Sequence, residues 1–169
     1  MNQAVLLSIK PKWVGLIASG KKIVEIRKTR PKIDTPFKCY IYQTKAHIPA
    51  RMAFGGVATD VSGVVGEFVC DYIYEDEHGE YADVFENSGC VPLAEQKEYA
   101  PNGILHGWHI SELKMYDTPK QLKEFLKWNR ECYWAELPMV RPKSCVDCGA
   151  TGCHVYSAPQ SWCFVEELE

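Results

Sequence analysis

Short hydrophobic runs and a helical pattern define the start of the chain. Residues 4–9 are apolar and predict a strand. Pro11 suits the first turn of a helix, and Gly20 suits its end. Three apolar residues between them lie at helical spacing: Trp13, Leu16 and Ile17. The pattern therefore predicts a strand that is followed directly by a short amphipathic helix.

Residues 22–28 change to the alternation that is typical of a strand. Successive side chains of a strand point to opposite faces. Val24 and Ile26 are therefore expected on one face, and Glu25 and Arg27 on the other. The segment predicts a strand that presents a carboxylate and a guanidinium roughly 7 Å apart along its length.

Further strands and short helices are predicted along the rest of the chain. The strands are expected at residues 37–43, 63–74, 106–116 and 161–167. Gly66 indicates a bulge or a close backbone approach. A helix is expected near residues 93–99, and residues 118–121 have the form of a capping box that starts another. Residues 44–56 and 129–159 are expected to be loops, the second of them rich in cysteine.

The order of these elements decides the expected fold class. Strands and helices do not alternate regularly, so a doubly wound parallel sheet is disfavoured. A single α+β domain over residues 1–169, built as a mixed β-barrel with short helices at its ends, fits better. No apolar run approaches the roughly 18 residues that cross a bilayer, and residues 1–11 lack a signal-peptide pattern. A cytoplasmic protein with no membrane partner is therefore expected.

The overall composition is ordinary, but the charges are distributed unevenly along the chain. The hydrophobic share of 46% and the charged share of 24% are typical of globular proteins, and the net charge is -3. Residues 8–32 contain eight Lys and Arg but one acid, Glu25, whereas residues 66–99 contain ten acids and one base, Lys97. Such a division is typical either of an anion-binding face or of an ordinary solvated surface.

Glu25 and Arg27 are the first candidates for chemistry. Arginine offers a planar donor fork that suits a phosphate or a base edge. Glutamate can accept a hydrogen bond from an exocyclic amine such as that of cytosine. Two alternatives stay open at this point: the side chains form a surface ion pair that contributes little, or they line a groove together.

Five of the eight cysteines lie in the last 40 residues and indicate a possible metal site. Their C-x-x-C and Cys-His spacing suits a tetrahedral structural zinc, which is the only cofactor predicted. The candidate ligands are Cys145, Cys148, Cys153 and His154, with Cys132 and Cys163 as alternates. Residues 143–158 contain few apolar side chains that would order them without a metal. Reduced thiols, or a disulfide formed on oxidation, are the alternatives.

Several segments in the same order resemble the ASCH domain family. They are LSIKP at residues 7–11, IASGKK at 17–22, EIRK at 25–28, VVGE at 64–67, GWHI at 107–110 and YDTP at 116–119. PQSWC at residues 159–163 resembles the ending of phage- and prophage-encoded members. The resemblance covers nearly the whole chain. It implies a PUA-like β-barrel and a cleft, near the first helix, that binds RNA or modified nucleosides.

The resemblance also implies which residues form that cleft. Its central residues would be Lys22, Glu25 and Arg27, and its phosphate-facing rim would consist of Lys10, Lys21, Lys28 and Arg30. Contacts of this kind to phosphate provide affinity without sequence choice. An unpaired base would stack on an aromatic side chain, for which Trp13 and Trp162 are the candidates.

One branch of the family resembles an amidohydrolase that removes an acyl group from N4-acylated cytidine. Its pattern is a glycine, a lysine two residues on, a threonine three after that, and a distant glutamate. Gly20 and Lys22 match, but Glu25 occupies the threonine's position. In this alternative Lys22, Glu25 and Glu67 would be catalytic. Binding of RNA or a modified nucleoside is the main prediction, with amide hydrolysis as the alternative and a protein-interaction module as a third.

Overall fold

Eight strands, three α-helices and one 3-10 helix are present in the computed structural model, which describes residues 2–45, 62–101, 103–128 and 154–168. The strands are β1 (Gln3–Ile9), β2 (Val24–Arg27), β3 (Phe37–Gln43), β4 (Gly63–Cys70), β5 (Ile73–Asp76), β6 (Leu105–His109), β7 (Ser111–Lys120) and β8 (Trp162–Glu166). The helices are α1 (Pro11–Ala18), α2 (Ala82–Asn87), α3 (Leu93–Tyr99) and the 3-10 helix Leu122–Glu124. Within these ranges, every helix is too short or too polar to cross a membrane.

The strands form two sheets. The larger has the order β7-β4-β3-β1-β8, and the smaller has the order β2-β6-β5. β1 and β3 run parallel, with Leu7 opposite Ile41, and the other strand pairs are antiparallel. Parallel neighbours need a crossover connection. This crossover contains α1 and β2, so the Gly20–Arg27 region lies beside the carboxyl end of β1.

The main hydrophobic core lies between the two sheets. Leu7 of β1 and Phe37 of β3 share it with Trp108 of β6, and the rings of Phe37 and Trp108 meet edge to face at 5.7 Å. A second cluster covers the opposite face of the larger sheet, where Tyr40 packs against Phe125. The larger sheet is buried on both faces, which explains why β1 is a continuous apolar run.

The expected closure into a barrel is wrong: the two sheets formed by the described residues remain open. The strand predicted at residues 106–116 divides at Ile110. β6 pairs with β2 and β5, whereas β7 pairs with β4 in the other sheet. Glu112 just beyond the division has a φ of 48°, so the backbone turns there. The mixed α+β class, mostly sheet with few helices, is confirmed.

Most of the other predicted elements are confirmed. They are β1, α1, β2, β3, α3 and β8. Gly20 ends the first helix with a φ of 71°. A Cβ atom on Gly66 would lie 2.7 Å from the carbonyl oxygen of Lys114, which confirms the close backbone approach.

Two predictions about elements need correction, and one helix was not predicted. The run at residues 63–74 forms two strands, which separate at Asp71 and Tyr72. The helix expected from Thr118 is wrong, because β7 continues to Lys120 through its pairing with Val64 of β4. α2 escaped sequence analysis because its one buried residue, Phe85, creates no periodic pattern. The loop predictions at residues 44–56 and 129–159 fall mostly outside the described residues.

Candidate functional site

A cavity of about 600 Å³ opens where the carboxyl end of β1 meets α1, β2 and α3. Pro159 and Gln160 also line it. Its polar lining residues are Ser8, Lys10, Lys22, Glu25, Arg27, Thr44, Glu95, Gln96 and Gln160. The volume lies within the range of small-molecule and cofactor sites.

β2 forms the floor of this cavity, as its alternation predicted. Val24 and Ile26 pack into a cluster with Phe85 of α2. Their neighbours Glu25 and Arg27 line the cavity, although they are only 5% and 7% exposed. The smaller sheet is therefore covered by α2 on one side, and its charged pair lies beneath the cavity on the other.

Lys22 reaches the floor because of the turn that ends α1. The backbone N–H groups of Lys21 and Lys22 both donate to Leu16 O at 3.0 Å, after the left-handed Gly20. Lys22 is 2% exposed, and its Nζ donates to Gly89 O at 2.5 Å. Burial lowers the pKa of Lys22 below its ordinary value, although Glu25, 3.4 Å away, acts in the opposite direction.

Arg27 is held by both backbone and side-chain acceptors. Its Nη2 donates to Ser8 O at 2.8 Å and lies 3.0 Å from Glu25 Oε1. Its Nη1 makes only long contacts, of 3.5 Å, to Ser161. Its Nε is buried and has no hydrogen-bond partner among the residues that the structure describes. One N–H of this guanidinium is therefore without an acceptor in the part of the chain that the structure describes.

The floor carries more positive than negative charge. Glu25 is the single carboxylate in contact with Lys22 and Arg27 within the described ranges. Removing ionised groups from water is unfavourable unless they are paired. With Lys22 protonated, one positive charge remains without a counter-charge. An electron-rich or anionic ligand would supply that counter-charge.

Aromatic and polar side chains form the cavity walls. Trp13 of α1 has two cations near its ring: Lys12 Nζ lies 4.2 Å and Lys22 Nζ 5.0 Å from the ring centroid. The opposite wall is α3, from the acidic part of the chain, where Tyr99 stacks against Lys28 Nζ at 4.5 Å. The acidic segment thus helps to build the site.

The structure brings together part of the predicted site. Lys10, Lys22, Glu25 and Arg27 line the cavity. Three other predicted rim residues lie outside its lining: Lys21, Lys28 and Arg30. Lys28 lies on the cavity-lining Tyr99, whereas Arg30 forms an ion pair with Glu75. The first basic segment is therefore divided between the site and the adjoining surface.

Trp162 does not line the cavity and is a core-packing residue. Its ring packs against Trp108 at 6.2 Å and against Phe164 at 5.3 Å. Its indole N–H donates to Thr29 Oγ1 at 3.1 Å. Trp13 is the candidate stacking residue that the structure places at the cavity.

Glu67 lies away from Lys22 and Glu25. It sits opposite Tyr40 on the face of the larger sheet that turns away from the smaller sheet. Its carboxylate accepts a hydrogen bond from the Tyr116 hydroxyl and lies 3.7 Å from Lys38 Nζ. Burial and this carboxylate raise the pKa of Tyr116. The structure thus separates the three residues that the amidohydrolase alternative groups together.

The predicted zinc ligands fall mainly on residues that are not described. Cys132, Cys145, Cys148 and Cys153 lie outside the described ranges, and those ranges contain no cluster of three potential metal ligands. His154 is described: its Nδ1 lies 2.6 Å from Lys123 O, and its Nε2 is buried without a partner in the described chain.

Sequence reasoning missed several lining residues, above all Gln96 and Tyr99 of α3. Both lie in the acidic segment of residues 66–99, in which sequence analysis named only Glu67 as a candidate site residue. Gln96 is 4% exposed despite its polar side chain. The opposite charges of the basic and acidic segments were the sequence signal that could have brought them together.

Both a family model and solved structures are similar to this chain. The ASCH domain family model matches residues 7–136. A crystal structure of ASCH from Zymomonas mobilis is similar, with a TM-score of 0.63 at 16% identity, covering 97% of this chain and 88% of that chain. No curated protein matches the sequence.

Structures of two mutant proteins of ASCH from Zymomonas mobilis are also similar. Each has a TM-score of 0.55 at 15% identity and covers 97% of this chain. The matches cover 91% and 89% of those chains. At this level of identity the likeness concerns the fold, and it supports a PUA-like fold.

Proposed function

The chain belongs to the ASCH domain family, and from that premise we propose that its cavity binds RNA or a modified nucleoside by enclosing one base. The ASCH domain family is linked to RNA binding. The observation that carries the proposal is the buried floor, where Lys22 and Arg27 share one carboxylate beneath a cavity of about 600 Å³. Cationic donors in that position favour a ligand rich in acceptors.

The walls fit an unpaired base. Bases taken out of a stack commonly lie on aromatic side chains. Trp13 lines the cavity and already has two cations near its ring. Outside the floor, Lys10 and Lys12 are exposed near the same wall and can contact phosphate. A base above the floor with its phosphate towards these lysines would use both sets of residues.

Fluorescence anisotropy with labelled single-stranded RNA hexamers tests this proposal. Affinity is expected to fall steeply with salt, because phosphate contacts release counterions. Lys10→Glu and Lys28→Glu are expected to weaken binding about tenfold or more at low salt. Lys114→Glu is the matched control, since Lys114 is exposed on β7 and does not line the cavity. No binding at low salt to any hexamer would overturn the proposal.

Amide hydrolysis is the second candidate, and the lowered pKa of Lys22 favours it. A lysine with a lowered pKa releases its proton more easily, and its neutral amine can act as a base towards water or a nucleophile. No hydroxyl in the described ranges is hydrogen-bonded to Lys22, and Glu25 fills the position of the threonine. Chromatography after incubation with N4-acetylcytidine tests the candidate. Turnover that disappears in Lys22→Ala would support it, and unchanged substrate would exclude it.

A structural zinc in the cysteine-rich segment is a separate proposal. His154 supports it: with Nδ1–H donating to Lys123 O, its Nε2 lone pair is directed elsewhere and has no described partner. Cys145, Cys148 and Cys153 would complete a tetrahedral set. Elemental analysis is expected to find about one zinc per chain, and freely titrating thiols without metal would exclude it. Phage or prophage origin and a cytoplasmic location stay predictions from the sequence.

A further inference from the structure

Gln96 of α3 is a buried acceptor at the proposed site. Its amide donates one N–H to Ala82 O at 3.2 Å and the other to Val91 O at 2.7 Å. These two bonds use both donors of the amide and fix its orientation, since a flipped amide would face two carbonyl oxygens with its own oxygen. Among the described residues, no hydrogen bond ends on Gln96 Oε1. The side chain can therefore only accept a hydrogen bond from a ligand.

Gln96 and Lys22 contact the same short segment of backbone. Lys22 Nζ donates to Gly89 O, and Gln96 donates to Val91 O, two residues further on. Two residues span at most about 7 Å, and Cys90 between them has a φ of 55°, which turns the chain. Lys22 and Gln96 thus both line the cavity and are held by carbonyl groups of the same short segment, and Gln96 also lines a second, smaller cavity beside Ala82.

We propose that the cavity reads the Watson–Crick edge of one unpaired base, with Gln96 Oε1 accepting from its N–H. Lys22 or Arg27 donates to the acceptor beside that N–H. This inference rests on the proposed function and adds the specificity-determining residue. Each standard base carries a donor next to an acceptor on this edge, and pairing occupies both. The site is therefore selective for unpaired nucleotides and rejects bases whose Watson–Crick donor is blocked.

The test uses the full chain and modified RNA hexamers. Uridine, cytidine and adenosine hexamers are compared with hexamers of N3-methyluridine, N4,N4-dimethylcytidine and N6,N6-dimethyladenosine, which lack the donor. Matched controls carry a change on the other edge: 5-methyl pyrimidines and 7-deazaadenosine. Loss of the donor is expected to weaken binding of the preferred sequence about fivefold or more. The control changes are expected to alter affinity by less than about twofold.

A second arm assigns the effect to Gln96. In Gln96→Leu, hexamers with and without the Watson–Crick donor are expected to differ in affinity by less than about twofold. This holds even if the variant binds all hexamers more weakly because α3 has lost its hydrogen bond to α2. Circular dichroism checks that this variant folds; if it does not, the wild-type comparison alone decides. If modifications of the Watson–Crick edge and of the other edge weakened RNA binding equally, the inference would be overturned and the proposed function would stand. Absence of any RNA binding would overturn both.

Discussion

The carboxylate of Glu25 and the guanidinium of Arg27 lie 3.0 Å apart at the floor of the cavity, and both side chains are more than nine-tenths buried. They are two residues apart on β2, so alternation places them on the same face. Sequence analysis left open whether they form a surface pair or line a groove. They do pair, but in a buried position that lines the cavity.

Glu25→Gln is expected to destabilise the fold strongly. The substitution leaves Arg27 buried without its counter-charge, and arginine cannot lose its proton. Breaking a buried pair in this way costs about 3–5 kcal/mol. Urea denaturation of both proteins measures the loss. Glu95→Gln is the control, because its pair with Lys12 is exposed and 3.9 Å long, and its loss should stay below about 1 kcal/mol. Equal losses in the two variants would contradict the prediction.

Lys22 is expected to make stability rise with pH in the alkaline range. Its pKa is lowered in the folded chain from the ordinary 10.5. Between the folded-state value and 10.5, the unfolded chain binds one more proton, so the free energy of unfolding increases with pH. At pH values below the folded-state pKa, Lys22 is protonated in both states, so the cost of burying its charge no longer changes with pH. Urea denaturation from about pH 7 upward should show wild type gaining stability relative to Lys22→Met. If the difference in the free energy of unfolding between the two proteins did not change with pH, the pKa of Lys22 would not be lowered in the folded chain.

Trp13 is expected to report ligand binding through its fluorescence. A base stacked on its ring would quench the indole, because Trp13 lines the cavity. Trp162 packs against Trp108 and does not line the cavity, so its fluorescence should not respond. Titration with RNA hexamers should therefore quench wild type and Trp162→Phe alike, and the signal should be lost in Trp13→Phe. If Trp13→Phe kept the full quenching signal, the base would have to bind at another surface.

Glu67→Gln is expected to leave RNA binding unchanged and to lower stability modestly. Glu67 contacts Lys38 and Tyr116 on the face of the larger sheet that turns away from the smaller one. Losing a charged acceptor for a half-buried hydroxyl costs about 1–2 kcal/mol. Anisotropy and urea denaturation of the same preparation measure both quantities. A large loss of affinity, or of any deacylase activity, would show that Glu67 reaches the site.

Local features of the site were predictable because they depend on neighbouring residues alone. Gly20 adopts the left-handed conformation that ends α1. The alternation in β2 separates the pair Val24 and Ile26 from the pair Glu25 and Arg27, as two-residue periodicity requires. These regularities arise from backbone geometry over a few residues, so the sequence by itself determined them.

Only the tertiary structure decided which distant residues share the cavity. Glu67 has the same charge and a similar β-rich context as Glu25, yet the pairing of β4 with β3 turns it to the opposite face. Gln96 is a polar residue in an acidic segment, but it is buried where its amide bonds to Ala82 O of α2 and to Val91 O. The division of the strand at Ile110 likewise leaves two open sheets in place of a barrel. Strand register, sheet membership and helix packing depend on the free energy of burying residues that are far apart in the chain. Local periodicity does not show which of these distant residues contact one another.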